Sequence, residues 1–190
     1  MEAINKFLQS NLMENIEGNH NEHSEIPEFA KQYEAKYVTS LEQADEPLEP
    51  IRRVKTINEQ LAGTIHDETG VPYKEHVVEL PDGEKVIGVF PEFDSTADIQ
   101  LDEREYLISD SAQEGICNKI LCERIDGDPK FAEQFTTEQL EQIRNGDTPD
   151  GYTWHHNETP GLMQLVDTET HAKTRHTGGR FLWGGGSDNR

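Results

Sequence analysis

Tyr152-Thr153-Trp154-His155-His156, Asn157-Glu158-Thr159-Pro160 and Gly161-Leu162-Met163-Gln164-Leu165-Val166 are consecutive, and their reading decides the fold of the functional part of this chain. The first and third runs mix aromatic or branched residues with polar ones over strand-like lengths. The second carries turn residues. The pattern predicts two antiparallel strands joined by a short connection. Thr168 is then placed to cap a short helix from Glu169 to about Arg175. A hairpin followed by a helix brings side chains of the first strand and of the helix into one small pocket.

Four of the chain's eight histidines, His155, His156, His171 and His176, fall within 22 residues of this segment. Neighbouring strand residues face opposite ways, so His155 and His156 are expected to do different jobs. One can ligate a metal while the other faces a substrate. His171 and His176 would stand about 140° apart on an ideal helix. They share an ion only if the helix ends before His176 and the chain turns back, and Gly178-Gly179 offers such a turn. An imidazole cluster with one member left over as a base points to metal-dependent hydrolysis. A histidine pair alone is more often structural, so the weight rests on the ordered set. Trp154 is read as a core residue anchoring its strand. His20, His23, His66 and His76 lie in polar or strand contexts and are not counted as ligands.

Outward from this segment the charge changes sharply. The chain of 190 residues has 38 acidic and 17 basic side chains, a net of −21. Residues 151–190 hold four of each, so the whole excess belongs to residues 1–150. Acidic surfaces repel nucleic acid and attract basic partners, which weighs against a simple nucleic-acid enzyme. Hydrophobic residues make up 33%, enough for a modest core, and no apolar run nears the roughly 18 residues of a membrane span. The start, Met1-Glu2-Ala3-Ile4-Asn5-Lys6, lacks the features of a secretory signal. The expected location is cytoplasmic, with no membrane association and with export, if any, by specialised machinery. Cys117 and Cys122, about 140° apart on a predicted helix, suit neither a disulfide nor a metal pair. They read as small buried thiols in a reducing compartment.

The expected organisation is α+β in three parts. Residues 1–50 form an acidic helical region, with helices over 3–16 and after Pro27 and an acidic linker from Glu42 to Pro50. Residues 51–150 form an α+β module. In it His76–Leu80 and Lys85–Phe90 flank Pro81-Asp82-Gly83-Glu84 as a hairpin, and helices follow at roughly 101–106 and 111–125. Asp128-Pro129 starts another helix, Thr136 and Gln139 form a capping box, and Gly146 stands where that last helix stops. Residues 151–190 form the third part.

This third part resembles the His-Asn-His (HNH) nucleases with a ββα-metal fold, and within them the Trp-His-His toxin subgroup and the DNase domains of colicin-like bacteriocins. The resemblance lies in Gly151-Tyr152-Thr153-Trp154-His155-His156-Asn157, Met163-Gln164-Leu165-Val166 and His171-Ala172-Lys173-Thr174-Arg175-His176-Thr177-Gly178-Gly179. Residues 56–95, with Leu61-Ala62-Gly63, Thr69-Gly70-Val71-Pro72 and Gly88-Val89-Phe90-Pro91, look like the module that precedes the nuclease in some bacterial toxins. The resemblance implies His155, His171 and His176 as ligands of one divalent ion (zinc, nickel, magnesium or manganese) and His156 as general base. It also implies Gln164 in the place of the family's middle Asn, which orients that base, and Arg175 as a contact to the scissile phosphate. The implied activity is endonucleolytic cleavage of DNA, with RNA as a second substrate class, in an antibacterial toxin that has an immunity protein and delivery machinery as partners. Two rivals stand beside it: a phage or housekeeping HNH nuclease, and a non-catalytic acidic interaction protein or nucleic-acid mimic with a degenerate metal site. Asp167 departs from the proline expected after the second strand, which puts the entry to the helix in question.

Overall fold

Two three-stranded sheets organise the structure, a computed structural model that describes residues 51–186, all within the compact unit Pro50–Arg190. The helices expected over 3–16 and after Pro27, with His20 and His23, lie outside the described residues. In the first sheet β1 (Arg52–Arg53) runs parallel to β3 (Lys85–Pro91), and β2 (Tyr73–Glu79) pairs with β3 antiparallel. The hairpin read from Asp82-Gly83 is present, and Gly83 takes the left-handed conformation (φ 85°) that the turn requires. Val54, Val78, Val86 and Phe90 close over one face of this sheet.

The second sheet has the order β4-β6-β5, where β4 is Ser95–Gln100, β5 is Tyr152–His156 and β6 is Leu162–Asp167. Both pairings are antiparallel, with Trp154 opposite Leu165, His156 opposite Met163 and Ile99 also opposite Met163. These residues, with Ala97, share one face of the sheet. Against it packs α1 (Asp110–Gly127), through Cys117, Leu121 and Ile125. Two short helices complete the layer, α2 (Pro129–Ala132), capped by Asp128, and α3 (Thr137–Arg144), opened by the capping box of Thr136 and Gln139. β4 belongs to the sequence before residue 150, yet it hydrogen-bonds to β6. The sheet and its core therefore run across the expected division at 150/151.

α1 buries two polar side chains in its apolar stripe, Gln113 and Asn118. Each is satisfied, as burial demands. Asn118 Oδ1 accepts from Trp154 Nε1 at 2.7 Å and from Thr148 Oγ1, while its Nδ2 donates to the Gly146 carbonyl. Trp154 is thus a core anchor of β5, as its sequence context implied, with its indole N–H paired. Gln113 Nε2 donates to the carbonyls of Glu105 and Tyr106 at 2.8 and 2.9 Å. Those are carbonyls that the end of a helical turn leaves unpaired, and the helix expected over 101–106 is here a single 3-10 turn, Glu103–Glu105. Cys117 is fully buried, and burial pushes its thiol up to about 12; Cys122 is half-buried, and both are free.

Leu121 is fully buried between α1 and the sheet. Leu121→Ala should cost about 2–5 kcal/mol, the usual range for a cavity-forming change at such a site. Urea unfolding measures it, and a loss below about 1 kcal/mol would mean that α1 does not pack on the sheet as described.

Candidate metal centre and catalytic pocket

The helix that follows β6, α4 (Thr168–Thr174), begins one residue earlier than the sequence led us to expect. Its cap is Asp167, whose carboxylate accepts from the Thr170 N–H at 2.7 Å. Those Thr170 hydrogen bonds hold the Asp167 carboxyl below the usual range. Aspartate caps a helix better than threonine and also suits the positive end of its dipole. The residue that seemed out of place is therefore the one that starts the helix.

α4 stops after Thr174 because Arg175 turns left-handed, with φ 37°. The chain doubles back at Arg175, so the turn is already complete before Gly178-Gly179. Its two last carbonyls are held from outside the helix. Tyr73 Oη donates to Thr174 O at 2.9 Å and to Arg175 O at 3.2 Å, and Asn58 Nδ2 donates to Arg175 O at 2.7 Å. Asn58 is itself left-handed (φ 66°), a conformation asparagine tolerates better than most residues. The glycine pair has another task. A methyl group at Gly178 would meet the His156 carbonyl oxygen at 2.9 Å, and one at Gly179 would overlap the Asn157 carbonyl. Only glycines let α5 (Gly179–Leu182) approach the end of β5, where Trp183 Nε1 donates to Asn157 O at 2.8 Å.

These two turns bring His155, His171 and His176 together. His155 Nδ1 lies 3.3 Å from His171 Nε2 and 3.1 Å from His176 Nε2. One ligand atom from each residue fits within 4.8 Å of the other two. Phe93 covers the group, its ring 4.8–5.4 Å from each imidazole. In this apolar setting charge is disfavoured. Burial, with the other histidines, holds His155 well below its ordinary value; burial then lowers His171, and burial with His171 brings His176 down to about 4. All three rings are therefore neutral near pH 7, as ligands must be.

The donor set fits a divalent ion. Imidazole nitrogens about 2.0–2.1 Å from a tetrahedral zinc stand about 3.4 Å apart, close to the spacings found here. His155 Nε2 and His176 Nδ1 are also buried without a hydrogen-bond partner among the described residues. The nitrogens that converge, His155 Nδ1, His171 Nε2 and His176 Nε2, have only one another as partners in those contacts, and three lone pairs so placed are what a bound cation would stabilise. His66, bonded to Thr69, and His76, paired with Glu158 at 2.5 Å, lie outside the group, in line with the sequence reading.

His156 faces the other side of β5. Because β5 is the edge strand, one cavity of about 250 Å³ reaches both neighbours; it is lined by Asp110, Trp154, His155, His156, His171, His176, Gly178 and Arg180. A larger groove of about 460 Å³ around Thr69, Glu92 and Asp167 has no comparable convergence of titratable groups, so we favour the smaller one. His156 Nε2 is 2.8 Å from Gln113 Oε1 and 3.9 Å from Asp110 Oδ1. Arg180 is buried, with Nε 2.8 Å from Asp110 Oδ1 and an Nη1 3.4 Å from Gln113 Oε1.

Two expected residues sit elsewhere. Gln164 donates to Asp98 Oδ1 at 3.0 Å and accepts from Asn157 Nδ2 at 3.1 Å, so its amide holds the strand ends and not the His156 ring. In the paired register it stands opposite His155, on the other face of the sheet. Arg175 is exposed, and its backbone makes the turn described above. The sequence reading missed Asp110 and Gln113. A signal existed for one of them: Gln113 falls four and eight residues before Cys117 and Leu121, on the buried stripe of α1.

Residues 82–178 match the family model of the DNase/tRNase domain of colicin-like bacteriocins. The chain belongs to this family. The match takes in all four clustered histidines, with Asp110 and Gln113, while Asn58, Tyr73 and Arg180 lie outside it. No curated protein and no solved structure matches the chain. No helix among the described residues is long and apolar enough to cross a membrane.

Two outcomes follow from this geometry. Because the buried imidazoles have folded-state values below 6.5, the unfolded chain binds more protons than the folded one in mildly acidic solution. The metal-free protein should keep this contribution in full above about pH 6.5 and lose it as pH falls toward 4. Urea midpoints between pH 7 and 5 measure the loss, which should be smaller in His176→Asn; equal slopes would contradict the buried neutral cluster. Tyr73→Phe, which removes the Tyr73 hydrogen bonds to the Thr174 and Arg175 carbonyls but no imidazole, should weaken Zn²⁺ binding about 10-fold by calorimetry. Unchanged affinity would mean that the turn stands without Tyr73.

Proposed function

We propose that this chain is a metal-dependent endonuclease that hydrolyses phosphodiester bonds in DNA, and that it acts as an antibacterial toxin. The observation that carries the reading is the meeting of three ligand-ready imidazoles with a fourth histidine and a buried arginine in one cavity, in a chain of a nuclease family.

His155, His171 and His176 hold the ion. When bound, it supplies Lewis-acid stabilisation of the charge that builds on the phosphate and the leaving oxygen. Imidazole donors favour zinc or nickel, with magnesium or manganese held more weakly. His156 takes the proton from the attacking water. Asp110 lies on the Nε2 side of that ring and stabilises the imidazolium that results. Arg180 presents a guanidinium to the phosphate from the cavity wall, and the exposed Arg175 contacts the strand further out.

Among the described residues, little of the chain's acidity lines this pocket. Its lining holds one carboxylate, Asp110, which is paired with Arg180, so the local charge is near zero before an ion adds two positive charges. The acidic excess of residues 1–150 is then available for basic partners, an immunity protein or delivery machinery.

The test is cleavage of plasmid DNA and of RNA by the purified chain with Zn²⁺, Ni²⁺, Mg²⁺ or Mn²⁺, with and without chelator. DNA cleavage that the chelator abolishes is expected. His156→Ala should lose at least about 100-fold in rate while still binding metal, and His171→Ala should lose the metal. If the metal binds and neither nucleic acid is cut, the enzyme reading fails and a non-catalytic interaction role takes its place. Growth arrest on expression in a bacterial cell, absent with His156→Ala, checks the toxin role.

A further inference from the structure

We propose that Gln113 is a positioning residue that fixes His156 in its Nε2–H tautomer and so decides which ring nitrogen carries the lone pair. The proposal deepens the nuclease reading and rests on it for its catalytic meaning. Its structural content stands alone.

The argument begins with two carbonyl groups. Gln113 is fully buried on α1, and its Nε2 donates to Glu105 O at 2.8 Å and Tyr106 O at 2.9 Å. Carbonyl oxygens only accept, so both amide hydrogens are committed to them. Turning the amide over would set Oε1 against two acceptors and deprive both carbonyls of their donor, a costly exchange at a buried site. The oxygen therefore faces His156, 2.8 Å from Nε2. An acceptor at that distance needs a donor, and the donor is Nε2–H. In the neutral ring the lone pair is then on Nδ1.

The neighbours agree with that assignment. Asp110 Oδ1, another acceptor, lies 3.9 Å from the same Nε2. Arg180, which can only donate, forms an ion pair with Asp110 and donates to Gln113 Oε1 at 3.4 Å, which marks that amide oxygen as an acceptor. A glutamate at 113 would still accept from Nε2–H but could not donate to the two carbonyls. Glutamine is the side chain of this length that does both. The 3-10 turn Glu103–Glu105, α1 and β5 are thereby tied into one hydrogen-bonded chain that ends on the His156 ring.

The experiment is ¹⁵N NMR of the imidazole rings of the full chain loaded with Zn²⁺, with the His156 signals assigned by their loss in His156→Ala. The wild type should show the Nε2–H pattern at a pH where the ring is neutral. Gln113→Met, similar in size and without the acceptor, should give a mixture of tautomers. Its DNA cleavage should fall about 10- to 100-fold with Zn²⁺ affinity unchanged. The wild-type pattern keeps the proposal decidable if the methionine variant does not fold, because it reports the tautomer without any substitution at 113. An Nδ1–H pattern in the wild type, or an unaltered pattern in folded Gln113→Met, would overturn the assignment. A shifted tautomer with full cleavage would overturn the positioning role. A wild type that cuts no DNA yet shows the Nε2–H pattern, lost in Gln113→Met, would instead sink the nuclease reading and leave the tautomer assignment standing.

Discussion

Three neutral imidazoles pressed together under a phenylalanine ring are a conflict that protein atoms alone resolve poorly. His155 Nδ1 has a single in-plane position with which to bond, yet two other ring nitrogens stand 3.1 and 3.3 Å from it. One proton there can satisfy one neighbour well, and adding protons would place charge in a buried, apolar setting, which the lowered values of all three rings already oppose. A divalent cation removes the conflict, because it turns three competing lone pairs into three ligands. The fold keeps these rings close although their spacing is costly for the metal-free chain, and that is the usual mark of a site organised ahead of its ligand.

What keeps them close is a set of restraints at the ends of α4. The Asp167 cap fixes where the helix begins and so which way His171 points. The left-handed Arg175 fixes where it ends and returns His176 to the same side. Tyr73, the first residue of β2, and Asn58, between β1 and β2, anchor the carbonyls of that turn. Residues before the matched family region therefore support the histidine cluster without belonging to it. Mutations there can alter the centre at a distance, as supporting groups around metal ligands commonly do.

Much of this was legible in the residues. The β5–β6 hairpin, the opposite facing of His155 and His156 and the four-histidine set all follow from the two-residue period of a strand and from local spacing. The condition for His171 and His176 to meet, a helix that ends before His176, could be stated but not met from sequence. The residue that ends the helix is an arginine with positive φ, and no propensity foretells that; Asn58 and Tyr73, more than a hundred positions away in sequence, stabilise it. Gln164 misled for a related reason. Its place in the strand was right, but strand pairing sets it opposite His155 on the face away from His156, where Asp98 and Asn157 take its amide. The residue that reaches the His156 ring, Gln113, was hidden as a polar side chain in a buried helical stripe. Its helical spacing sets it on the buried stripe, but its polarity reads as surface, and only the carbonyls of the turn just before α1 explain its burial.

The paired Asp110 and Arg180 bear on how so acidic a chain can meet DNA. At physiological ionic strength the field of an exposed charge fades over about 8 Å, so carboxylates spread over other surfaces act weakly on a phosphate inside the pocket. What counts there is the local set, and the local set is one ion pair and four histidines. In such a pocket Arg180 need not be a free charge to matter. As negative charge builds on a bound phosphate, its guanidinium can share hydrogen bonds between that phosphate and Asp110, and Asp110 in turn can favour a proton arriving on His156. The same ion pair would then serve both ends of the reaction, and the net charge of the chain would govern its partners more than its chemistry.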